Sequence, residues 1–96
     1  MAQGDVVTLV PTSVAAGSTL DIKPGANIEW VIHNIQVSGQ AELAKTDGSN
    51  PITIDSLSAA GEWTNQEKHA TNTVWWRVKN TGGGAIYVSY DGVQTK

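Results

Sequence analysis

Two histidines, His33 and His69, and a few carboxylates are the side chains with which this chain could hold a metal or run a hydrolysis. A metal site asks for ligands at short, ordered spacing, as in H-E-x-x-H, and His33 and His69 lie too far apart in sequence to supply it. The plainer reading is one histidine at a strand irregularity and one in a loop. Glu62 and Glu67 flank one loop and Asp47 and Asp55 another, the kind of carboxylate pairing that glycoside hydrolysis uses. Acids beside loops are, however, ordinarily solvated surface groups. Asp47-Gly48-Ser49-Asn50 shares composition with the opening of a calcium loop but lacks the later ligands and the terminal glutamate, so it reads as a hairpin turn. Gly82-Gly83-Gly84 is followed neither by a helix nor by Gly-Lys-Ser/Thr, which leaves it without the setting that cradles a phosphate. With no cysteine, a thiolate ligand, a cysteine nucleophile and a disulfide framework are excluded. The expectation is a protein that is not an enzyme, with no catalytic, cofactor-binding or metal-binding residues.

What remains is aromatic. In Thr73-Val74-Trp75-Trp76-Arg77-Val78-Lys79, strand alternation puts Val74, Trp76 and Val78 on one face and Trp75, Arg77 and Lys79 on the other. Beyond the Asn80–Gly84 turn, Ala85-Ile86-Tyr87-Val88-Ser89-Tyr90 alternates again, so that Ile86, Val88 and Tyr90 face a core. Read as a hairpin, the two runs set Tyr87 beside Trp75 and Arg77 on an outer face, with Trp63 exposed in a polar loop. Trp, Tyr and Arg are the residues that anchor interfaces. Three roles stay open for them: sugar-stacking platforms, anchors on another protein, or a cap on the outer face of a small sheet. The candidate interface residues are Trp75, Arg77, Tyr87 and Trp63.

Short β-type runs separated by turn residues must position these side chains. They are read at Asp5–Val10, Ser18–Ile22, Ile28–Val37, Ala41–Lys45, Ile52–Asp55, Glu62–Asn65, Thr73–Lys79 and Ala85–Tyr90. Pro11, Lys23-Pro24-Gly25, Ser38-Gly39, Asp47-Gly48, Ala60-Gly61 and the triple glycine supply the breaks. No stretch keeps a helical period. The fold expected is all-β: an antiparallel β-sandwich, jelly-roll-like, of about seven or eight strands, with residues 1–96 as one domain. In Ile28–Val37 the alternation slips, since Trp30 and Ile32 share one parity and Ile35 and Val37 the other. A β-bulge near His33-Asn34 returns both sets to the core; the alternative is a strand buried on both faces. Ser56–His69 reads as a segment that wanders across one end of the sandwich.

Ninety-six residues suffice for one core. Six Lys and Arg against nine Asp and Glu give a net charge of −3, which provides no basic field for nucleic acid or an anionic membrane. The first residues, Met1-Ala2-Gln3-Gly4-Asp5, lack the basic and apolar regions of a secretory signal, so the expectation is a soluble chain made in a cytoplasm.

Asn27-Ile28-Glu29-Trp30-Val31-Ile32-His33-Asn34-Ile35, Arg77-Val78-Lys79-Asn80-Thr81 and Tyr90-Asp91-Gly92-Val93-Gln94-Thr95-Lys96 together resemble a pattern of small structural proteins of tailed bacteriophage virions. The resemblance extends over most of the chain and carries no active-site motif. It implies a capsid decoration or cement protein that stabilises the head by multivalent surface contacts, located in the virion and assembled in the bacterial host cytoplasm. The implied partner is the major capsid protein or another virion protein. A homo-oligomer is implied too, a trimer favoured over a dimer, with terminal segments acting as clips. A carbohydrate-binding module using Trp63, Trp75 and Tyr87, and a phage tail or fibre component, are the competing expectations.

Overall fold

The structure, a computed structural model, describes residues 4–96. Ten strands run in chain order: β1 (Val6–Thr8), β2 (Thr12–Val14), β3 (Thr19–Ile22), β4 (Trp30–Val37), β5 (Ala41–Thr46), β6 (Ile52–Leu57), β7 (Gly61–Trp63), β8 (Lys68–Ala70), β9 (Trp75–Asn80) and β10 (Ile86–Gln94). No helix occurs among the described residues. They form two antiparallel sheets. In the larger, β10 and β4 lie side by side, β1 and β2 share the outer flank of β10, and β7 and β8 share the outer flank of β4. The smaller has the order β3-β9-β5-β6. The chain is thus an all-β sandwich, with ten strands rather than seven or eight. The two extra strands are β2 and β8, at three residues each too short to show alternation.

The core takes Val7, Val14, Ile32, Ile35, Val37, Ile86, Val88 and Tyr90 from the larger sheet and Ile22, Leu43, Trp76 and Val78 from the smaller. The bulge expected near His33-Asn34 is present. Asn34 pairs with Asp91 and Ile32 with Gly92, so His33 is the extra residue in β4. The insertion resets the pleat, and Ile32 and Ile35 are both fully buried. Without it Ile35 and Val37 would turn outward, a loss of about 1.5–3 kcal/mol for each side chain. Gly92 is the residue that lets the backbones close here. A Cβ on it would land on the Val31 carbonyl oxygen and 2.8 Å from Ile32 Cα.

Three expectations are corrected. β9 and β10 do not form a hairpin: β9 pairs with β3 and β5 in the smaller sheet, while β10 pairs with β1, β2 and β4 in the larger. The Asn80–Gly84 turn is a crossover between sheets, and buried Asn80 is why it holds. Its Nδ2 donates to Val14 O (2.9 Å) and Gly84 O (2.7 Å), and its Oδ1 accepts from Gly82 N (3.0 Å). Val74, assigned to the core by alternation, precedes β9 and is exposed. Ser56–His69, read as a wandering segment, supplies the end of β6, all of β7 and the start of β8. The Lys45-to-Ile52 hairpin forms as expected, with Asp47 Oδ1 accepting from Ser49 N and Asn50 N, each at 2.9 Å.

Candidate functional site

Trp75, Arg77 and Tyr87, expected to share one face, and Trp63, expected to be exposed in a loop, are distributed over both sheets and two environments. Trp75 has only 6% of its surface exposed and Trp63 7%. The outward side of β9 at Trp75 is covered, because the β5–β6 turn folds over it at Gly48 and Lys23 Nζ sits 4.1 Å from the ring centroid. Trp63 packs into the core and its Nε1 donates to Asp55 Oδ2 at 2.8 Å, joining β7 to β6 across the sandwich. Both are corrections to the expected exposure. Arg77 is partly exposed on the smaller sheet, where its Nε donates to Asp21 Oδ1 at 2.7 Å. That contact raises the guanidinium pKa further. Tyr87 alone stands well out, 59% exposed, and on the other sheet.

The Tyr87 backbone is held at both of its polar groups. Its N–H donates to Ser38 Oγ (2.8 Å) and its carbonyl accepts from Ser38 N (3.0 Å), while across the ladder it faces Ser13 of β2. With Pro11, Val37 and Val88 its ring borders a groove of about 220 Å³ that also touches Gln36, Ser38 and Ser89. One side-chain polar atom of each of those three is engaged within the chain. Ser38 Oγ takes the Tyr87 N–H, Ser89 Oγ donates to Leu9 O at 2.6 Å, and Gln36 Nε2 leans to Asp91 Oδ2 at 3.4 Å. What the groove offers a visitor is therefore mostly carbon. Val10, next to Pro11 in the chain, is strongly exposed as well, whereas the exposed Val6 pairs with Val93, well along β10 from Tyr87.

The titratable groups make no comparable site. Among the described residues there is no cluster of three or more His, Cys, Asp or Glu able to hold a metal. Asp55 is held below the ordinary carboxylate range by the Trp63 indole and the Ser56 N–H. Burial pushes the Lys68 ammonium down, partly opposed by Asp55. This lysine lies 4.4 Å from the Trp76 centroid, whose Nε1 donates to His69 O, so the group reads as packing. A second concavity on the smaller sheet lies between Glu42, Thr53, Arg77 and Lys79. Its cation with the best reach, Arg77, is already paired with Asp21.

Sequence alternation missed Pro11 as a site residue; its only signal is a proline breaking an apolar run between two short strands. The described ends are tied down: Gly4 N donates to Gln94 O, Thr95 N to Glu29 O and Glu29 N to Lys96 O. The remainder of the expected N-terminal clip, residues 1–3, lies outside the described residues. No helix among the described residues is long and apolar enough to cross a membrane. No protein-family model matches the chain, and comparison with curated proteins finds no relative.

Proposed function

We propose that the protein is a non-enzymatic structural module that docks on another protein through the Tyr87 groove, as a decoration or cement protein does on a phage head. The observation that carries the docking role is the groove itself: an exposed tyrosine on a fixed stretch of backbone, beside Pro11 and Val37, in a lining that is mostly carbon. Such a surface favours an apolar protein side chain over a sugar, whose hydroxyls need free donors and acceptors. The carbohydrate reading also loses two of its three platforms, since the rings of Trp63 and Trp75 are buried. The phage setting rests on the sequence resemblance. In this reading the chain self-associates, resides in the virion, and binds the major capsid protein or another shell component.

The interface residues narrow to Tyr87, Pro11 and the adjoining Val10, with Arg77 outside the docking surface. Tyr87→Ala and Val10→Asp should leave melting within about 0.5 kcal/mol of the parent, as for ordinary surface changes. Co-sedimentation with heads stripped of decoration protein should then show occupancy lost for both variants and kept for Arg77→Ala. Parent-like occupancy by Tyr87→Ala together with Val10→Asp would overturn the assignment.

A further inference from the structure

An open sheet edge must be blunted or it becomes a template for another strand. Most edges of this sandwich are blunted. β1, β2, β7 and β8 have three residues each, and β3 has four, carries the Asp21–Arg77 ion pair and runs into Lys23-Pro24. β6 differs. It has six residues, pairs only with β5, and exposes Ile52 (62%) and Ile54 (49%). No lysine, arginine or proline interrupts Ile52-Thr53-Ile54-Asp55-Ser56-Leu57; its one blunting device is a bulge, the register with β5 skipping Ile54, which leaves the strand at full length.

We propose that β6 is a self-association edge, pairing antiparallel with β6 of a second copy about a two-fold axis normal to the smaller sheet. Three features select a second copy. The strand is self-complementary in shape, because antiparallel pairing about a two-fold brings one set of β-branched residues against the same set, the isologous arrangement commonest among dimers. Its charges complement one another. Lys45 lies opposite Ile52 at one end of the strand and Asp55 opposite Leu43 toward the other, so the two-fold brings Lys45 of each copy toward Asp55 of its mate on the same sheet face. That carboxylate is also fixed in place, with Asp55 Oδ2 accepting from Trp63 Nε1, so it stands ready for Lys45 of the mate. The product is a continuous eight-stranded sheet that covers Ile52 and Ile54 of both copies. This inference rests on the self-association in the proposed function and gives it a surface, with a two-fold axis where the resemblance implies a threefold.

Sedimentation velocity over a concentration series tests it on the intact chain. The parent should approach twice 10.1 kDa, and Ile52→Lys/Ile54→Lys should sediment at 10.1 kDa with unchanged far-ultraviolet circular dichroism. Because the chain has no cysteine, single Thr53→Cys and Ile54→Cys variants report directly. Paired positions across an antiparallel seam fall within disulfide reach, so at least one should form a dimer on mild oxidation, whereas Ser13→Cys on the opposite edge should not. A parent that stays monomeric, a dimer that survives the lysine pair, a threefold mass, or cross-linking through Ser13→Cys alone would each overturn the proposal. Head occupancy by Tyr87→Ala is scored separately, so either surface can fail without the other.

Discussion

Replacing Asn80 asks most directly whether the crossover between the sheets is built as described. Asn80 is fully buried and satisfies three backbone groups: Val14 O, Gly84 O and Gly82 N. In Asn80→Ala the bond to Val14 is the costly loss, since it lies in the interior, while the other two sit where water can reach them. An orphaned buried carbonyl costs about 1–3 kcal/mol, so about 2–3 kcal/mol is expected once the small void is included. For a domain of this size that is a fall in melting temperature of about 8–24 °C. Asn80→Asp sharpens the test. It keeps the acceptor for Gly82 N but sets a carboxylate against two carbonyl oxygens, so at neutral pH it should be less stable than Asn80→Ala. That buried carboxylate would titrate above its unfolded value, so its penalty should shrink as pH falls and the group is neutral in both states. Thermal melts of the three proteins at neutral and acidic pH provide the comparison. An Asn80→Asp protein as stable as the parent at neutral pH would refute the donor assignment.

Trp75→Ala should destabilise the domain by about 3–5 kcal/mol in urea titration, as loss of a buried aromatic does, although alternation alone marks it as a tolerant surface site. Trp63→Phe should move the Asp55 titration, followed by carboxyl NMR, up toward the ordinary carboxylate range by removing its indole donor. A depressed folded-state pKa contributes stability above the unfolded value and loses it as pH falls through the folded one, so the parent's advantage over Trp63→Phe should close in acid.

Alternation tells which side of a sheet a residue faces, and at His33 it told more. The slip between Ile32 and Ile35 located the bulge, because only an extra residue reconciles the two parities with one core. It also placed Ile86, Val88 and Tyr90 correctly. It could not tell whether an outward face is covered, and Trp75 is covered by a turn and a lysine remote from it in sequence. The short Asn80–Gly84 link looked like a hairpin because length alone does not distinguish a turn within a sheet from a crossover between two. The deciding contact, Asn80 to Val14, spans most of the chain. Of the candidate site, Tyr87 was legible from parity, whereas Pro11 and Val10 join it only through the pairing of β2 with β10.

The position of β10 in chain order bears on how the protein is made. β1, β2 and β4 all pair with this one strand, and all three leave the ribosome before it. At roughly 5–20 residues per second, β4 waits several seconds with its β10 flank open, its other flank meeting β7 and β8 in the meantime, and β9 completes the smaller sheet just ahead of β10. The smaller sheet is thus the natural first product of synthesis and the larger sheet closes last. A stall between β9 and β10 would therefore release a chain with the smaller sheet assembled and β4 open on one flank, the form most exposed to misassembly with its own copies.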